Sequence, residues 1–142
     1  MATPMTDAEW RAFVSAGTRT AKIATTRADG RPHVAPVWFL LDGEDFVFNT
    51  SKNSVKGRTL IRDGRLALCV DDDQPPFSFV IIDGHAQVSE DASQVRDWAS
   101  RIAARYVGKE RAAEYGVRNS APGILLVRVS IDNVRAVSGV AN

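Results

Sequence analysis

Cysteine, histidine and net charge are all scarce in this chain. One thiol, Cys69, excludes an internal disulfide framework and any multi-cysteine metal centre. It falls in the apolar run Leu66-Ala67-Leu68-Cys69-Val70 and is expected in the core. The two histidines, His33 and His85, lie on separate stretches without a ligand-type neighbour at metal spacing, so no metal site is expected. A formal net charge of +1 provides no bulk field for nucleic acid or an anionic membrane, so any anion site must be local. No apolar run approaches the ~20 residues of a membrane span. Met1-Ala2-Thr3-Pro4-Met5 lacks the basic-then-apolar pattern of a signal peptide, and a cytoplasmic protein is expected. There is no P-loop, dinucleotide glycine turn or Gly-x-Ser-x-Gly elbow, so nucleophilic catalysis has no visible constellation.

What is present is a chain of 142 residues, 44% apolar and 25% charged, which suits one globular domain over 1–142. Thr6-Asp7-Ala8-Glu9 is a capping box, and Trp10, Phe13 and Val14 follow at helical spacing, predicting a helix over 7–15. Strands are expected at 21–26, 33–41 and 45–50, joined by Asp29-Gly30 and Asp42-Gly43 turns as a meander. The 33–41 stretch is apolar at nearly every position, which predicts cover on both faces. A short helix over 53–62, capped by Ser51 and closed by Asp63-Gly64, precedes strands at 65–70 and 77–89, with Gly84 marking a bulge. The Asp71-Asp72-Asp73 run is expected as a solvated connection. Val95, Trp98, Ile102 and Tyr106 form the stripe of a main helix ended by Gly108; 110–115 adds a turn, and a last strand covers 124–129, with 134–137 as its extension. The sum is about six strands and two or three helices: a mainly β chain best packed as a small antiparallel barrel.

Two features point to chemistry. In Asn49-Thr50-Ser51-Lys52-Asn53-Ser54-Val55-Lys56-Gly57-Arg58-Thr59-Leu60, hydroxyls, two amides and three cations gather at a strand exit and a helix start. Helix N-termini present free N–H groups and a positive dipole end, which together suit one phosphate. Taken alone, the same stretch also reads as a solvated basic helix with a serine cap. The second feature is Pro36 within an apolar strand. It cannot donate to a ladder, so it marks an edge, a bulge or a place where something else meets the backbone.

In Asp29-Gly30-Arg31-Pro32-His33-Val34-Ala35-Pro36-Val37-Trp38-Phe39, then Ser54-Val55-Lys56-Gly57-Arg58-Thr59-Leu60, then Arg65-Leu66-Ala67-Leu68, the chain resembles the split-barrel flavin-binding proteins related to pyridoxamine 5′-phosphate oxidase. Gly84-His85-Ala86-Gln87-Val88 and Ile102-Ala103-Ala104-Arg105-Tyr106 extend the resemblance. Within that family it looks most like the small branch that uses the deazaflavin coenzyme F-420. The resemblance implies an FMN-binding split β-barrel, a homodimer, and a cofactor in a groove at the subunit interface. It implies that Lys56, Arg58 and the Asn49-Thr50-Ser51 turn hold the cofactor phosphate, with Lys52 compensating for Ser54, where relatives often place a basic residue. The backbone of Pro36, Val37 and Trp38 would flank the ring, and Phe77 would stand near ring or substrate. The usual Arg-Asn-Leu is Arg58-Thr59-Leu60 here.

The arginine-rich C-terminal segment of pyridoxamine phosphate oxidases has no counterpart in Val137-Ser138-Gly139-Val140-Ala141, which disfavours vitamin B6 oxidation. The implied activity is hydride transfer from the reduced cofactor to a conjugated small molecule, with solvent, His33, Tyr106 or Arg118 as proton sources and no catalytic residue assigned. An FMN-dependent oxidoreductase and a non-catalytic deazaflavin-binding protein are the alternatives.

Overall fold

The computed structural model describes residues 2–142. Strand β1 (Thr3–Pro4) leads into helix α1 (Asp7–Ser15), followed by β2 (Ala21–Thr26), β3 (Pro32–Val37), β4 (Leu40–Asp42) and β5 (Asp45–Ser51). Helix α2 (Val55–Arg62), β6 (Arg65–Asp72) and β7 (Ser78–Ser89) come next, then α3 (Ala92–Val107), α4 (Lys109–Arg118) and β8 (Ile124–Ser138). Every pairing is antiparallel, and the strands run in the order β3-β2-β6-β7-β8-β5-β4, with β1 added on β8.

The expected meander is only half right. The β2–β3 and β4–β5 pairs form, but β3 and β4 do not pair; they stand at opposite ends of the strand order. Yet only Trp38 and Phe39 separate them. Three Cα–Cα steps reach about 11 Å, whereas six strand spacings in a flat sheet span roughly 29 Å. The sheet is therefore curled until its ends meet, a barrel split between β3 and β4. One core fills it from all sides: Ile23, Phe39, Phe46, Phe48, Leu68, Val80, Ile82, Leu125 and Val127 are almost fully buried.

The split also explains why β3 is not covered on both faces. It bonds only to β2, and Val34 is 65% exposed. Pro36 on this edge leaves no ladder N–H missing. Cys69 is not a core residue. Leu66, Leu68 and Val70 take the inner face of β6, so period-two alternation sends Cys69 outward, where it is half-covered beside Lys22. Asp71 and Asp72 belong to β6 and pair with Lys22 (2.8 Å) and Arg19 (3.1 Å) instead of forming a solvated loop.

Among the described residues there are eight strands and four helices, more than the pattern of the sequence suggested. The extra helix is α4, and β8 runs continuously through the last strand and its expected extension. The bulge at Gly84 is present, with the unmatched residue, Asp132, on the facing strand. Helix α1 occupies its predicted range with both arms of the capping box closed: Glu9 N–H donates to Thr6 Oγ1 (3.2 Å) and Thr6 N–H donates to Glu9 Oε1 (2.8 Å). Thr6→Ala removes one arm, and a loss of about 1 kcal/mol is expected in urea unfolding.

Candidate functional site

Helix α2 begins two residues later than the sequence suggested, because Ser54 and not Ser51 is its cap. Ser54 Oγ accepts the Gly57 N–H (3.0 Å) and donates to Ser51 O (2.7 Å). Ser51 Oγ instead accepts the Asn53 N–H (3.2 Å), shaping the turn before the helix. Gly57 packs directly on this turn: a Cβ there would stand 2.0 Å from Ser51 O. Only a hydrogen in that position lets α2 dock on the end of β5 with Lys56 turned to one side.

On that side lies a cleft of about 600 Å³ lined by Pro36, Val37 and Trp38, by Asn49, Thr50 and Ser51, and by Lys56. Seven of the residues singled out in the sequence thus meet in one place. Its apolar floor is Ala99, Ile102 and Ile124, and its far wall is Tyr115, Arg118 and Asn119. The cleft has about the size usual for a cofactor site.

The electrostatics centre on Lys56. It is half-buried, burial pushes its ammonium pKa down, and no carboxylate pairs with it among the described residues. Arg118 also has no ion pair among the described residues and is placed over the Tyr115 ring at 5.3 Å. Asn49 donates Nδ2–H to Val95 O (3.1 Å) and toward Asn119 O (3.5 Å), which leaves its Oδ1 buried without a donor. A cleft with two unpaired cations, an amide oxygen lacking a donor and an apolar floor suits a flat ligand with an anionic group and N–H or O–H donors. These residues fit a phosphate-bearing flavin or deazaflavin.

Trp38 is held rigidly. Its ring stacks on Tyr106 with centroids 5.0 Å apart and planes within 3°, and Tyr115 lies beyond at 6.0 Å. The Tyr106 hydroxyl accepts the Phe39 N–H (3.2 Å) and donates to Arg19 O (2.7 Å), and burial pushes its pKa up. Arg105, which is not among the stripe residues Val95, Trp98, Ile102 and Tyr106, turns inward and donates to the carbonyls of Gly17, Phe39 and Val14 at 2.7–2.9 Å. The last turn of α3 therefore clamps the β3–β4 crossover beside the cleft.

The other predicted residues lie elsewhere. Lys52 is outside α2 and pairs with Glu90 (3.2 Å). Ser54 supports the turn as the cap. Arg58 faces a groove on another side of α2 with Arg27, Arg31 and Arg62. Phe77, with φ 62° and 40% exposed, precedes β7, and its carbonyl accepts the Val140 N–H (2.9 Å). Of the three proton sources considered, Arg118 lines the cleft; His33 and Tyr106 do not.

Tyr115, Asn119 and the apolar floor were not recognised as site residues from the sequence. A signal existed in Tyr115-x-x-Arg118, one helical face, but it requires α4 to be a full helix. Gly116 seats α4 against Ser100, where a Cβ would lie 2.0 Å from the Ser100 hydroxyl oxygen.

Residues 6–138 match the family model described as pyridoxamine 5′-phosphate oxidase. A conserved hypothetical protein from Mycobacterium tuberculosis is similar at 25% identity and TM-score 0.80, covering 93% of this chain and 84% of that one. An F-420 reductase is similar at 21% identity and TM-score 0.68, covering 87% and 94%. A heme storage protein from Vibrio cholerae is similar at 18% identity and TM-score 0.75, covering 96% and 98%. The last two, below 25% identity, share the fold. No curated protein sequence matches the chain.

Proposed function

Because the chain belongs to the pyridoxamine 5′-phosphate oxidase family over residues 6–138, we propose that it is a reductase using a deazaflavin of the coenzyme F-420 type. It acts as a homodimer, with the cofactor at the subunit interface and a conjugated small molecule as substrate. The observation that carries this reading is Lys56, a half-buried cation without a carboxylate at the phosphate end of a cleft walled by the Pro36–Trp38 backbone.

When bound, the deazaflavin supplies a hydride from its C5, and the protein supplies binding and orientation. Lys56 and the Asn49–Ser51 turn hold the phosphate. The backbone of Val37 and Trp38, clamped by Tyr106 and Arg105, aligns the ring. Asn49 Oδ1 accepts a hydrogen bond from the ligand. The cleft lining contains no Asp, Glu, His or Cys, so the completing proton comes from solvent in this reading.

Titrating the protein separately with coenzyme F-420 and FMN tests it, by cofactor fluorescence. Tighter binding of coenzyme F-420, followed by oxidation of its reduced form with a quinone, enone or tetrapyrrole, is expected. Preferential FMN binding moves the protein to the FMN-dependent oxidoreductases. Tight F-420 binding without turnover across that panel makes it a deazaflavin-binding protein.

A further inference from the structure

Period-two alternation gives every strand an outward set of residues, and on an antiparallel sheet facing water that set is polar. Around this barrel the outward sets depart from the rule. Those of β5 and the first half of β8 include Val47 and Leu126, which α3 covers with Trp98 and Ile102. On the opposite side the register sets Pro36, Lys22, Cys69, Ile81 and Arg135 side by side across β3, β2, β6, β7 and β8. The next row starts with Val34, Ala24 and Ala67, and the row beyond Cys69 brings Phe79 beside Val137. This face is largely apolar. Yet Val34 is 65% exposed, Ile81 is 37% exposed and Ala24 is exposed as well, so the described residues leave it open.

Two observations indicate what covers it. The first is charge. Lys22 on this face is neutralised by Asp71 (2.8 Å). One cation, Arg135, and one carboxylate, Asp83, have no ion pair among the described residues. They stand diagonally across β8 and β7, and Arg135 leans over the Phe79 ring (5.7 Å), away from Asp83. In a two-fold contact the same patch meets itself, so one residue touches a second and that second touches the first in return. Arg135 of each copy can then take Asp83 of the other, whereas a partner of one charge sign would leave one of them unpaired. The second observation is continuity. Pro36 belongs to this face and also lines the Lys56 cleft, so a body packed on the face reaches the mouth of that cleft.

We propose that the outward face of β3, β2, β6 and β7, with Arg135 of β8 at its rim, is the surface through which two copies of this chain pair, and that each copy closes the Pro36 end of the other's Lys56 cleft. The inference rests on the homodimer of the reading above and gives it a surface. Ala24, Ala67 and Cys69 form a shallow centre beside the larger Val34 and Ile81, a relief into which a second copy can pack. Cys69, the one cysteine of the chain, lies inside the contact and is shielded by it.

Sedimentation velocity over a dilution series reads the oligomeric state, and a dimer is expected for the wild-type protein. Ile81→Arg puts a charge at an outward position and is expected to weaken that dimer at least about 100-fold. Ile61→Arg, on α2 and 55% exposed, is the matched control and should leave the dimer intact. Two measurements on the unmodified chain locate the face without any variant. The Cys69 thiol should react with a disulfide reagent at least about tenfold faster once dilution has split the dimer. Amide exchange over 34–38 and 67–71 should slow on dimerisation, while exchange over 7–15 stays the same. A dimer that survives Ile81→Arg, that Ile61→Arg dissociates equally, or whose Cys69 reacts at one rate throughout the series overturns this surface and leaves the homodimer standing. Slower exchange over 67–71 but not over 34–38 overturns the closure of the cleft. A wild-type monomer overturns the homodimer and this surface together. No readout involves a cofactor, so the deazaflavin reading is tested separately.

Discussion

Gly57→Ala is expected to lower stability by about 3 kcal/mol. For a chain of this length that is a fall in Tm of roughly 10 °C, readable by calorimetry. Two effects compete. Alanine is the better helix former and would gain about 1 kcal/mol at an open helix position. Here its methyl would meet Ser51 O at 2.0 Å and Ser51 C at 2.9 Å, both backbone atoms that cannot rotate away. The Ser51 carbonyl already accepts from Ser54 N (3.1 Å) and Ser54 Oγ (2.7 Å), so moving it breaks the cap of α2 as well. The clash therefore outweighs the propensity gain, and α2 must lift from the end of β5. Cofactor affinity should fall with it, because Lys56 rides on the first turn of that helix. A Tm equal to or above wild type would show that the α2–β5 contact is softer than its geometry indicates.

Lys56→Met separates binding from folding. Cofactor affinity is expected to drop by about 10- to 100-fold in a fluorescence titration, equivalent to about 1.4–2.8 kcal/mol, as for a charge-assisted contact to phosphate. Stability of the cofactor-free protein should rise slightly. Burial depresses this lysine's pKa in the folded chain, so the unfolded chain holds the proton more tightly. Its opposition to folding is thus fully present below the folded pKa and fades as pH climbs through the ordinary lysine range. A bound phosphate reverses the balance, favouring the ammonium, so cofactor affinity should weaken at alkaline pH in wild type and lose that dependence in Lys56→Met. Unchanged affinity in the variant would remove Lys56 from the site.

Much of the local architecture was legible from residue order. Thr6 and Glu9 bracket a capped helix, Asp91 caps another through Gln94 N–H (3.0 Å), and Gly108 ends it at φ 90°. Each of these signals is written within a few residues. Errors arose where the deciding partner was distant. Arg105 reads as a solvated cation until α1 and the β3–β4 crossover supply carbonyls 66–91 residues away in sequence. Ser51 and Ser54 are equally good caps on paper; the one chosen is the one whose hydroxyl can reach both Gly57 N–H and Ser51 O once α2 packs down.

By itself the sequence determined helices α1, α2 and α3, the turns of the β2–β3 and β4–β5 hairpins, and the Asn49–Leu60 turn with its cations, because propensity, capping and periodicity act over one or two turns of chain. Only the tertiary structure decided that β3 is an open edge, that Cys69 faces outward, and that Tyr115, Arg118 and Asn119 close the cleft facing Asn49. It also divided the cations of the basic turn between two sides of one helix. Those outcomes depend on which surfaces meet when an eight-stranded sheet curls until two residues can bridge its ends, and no short stretch of chain contains that information.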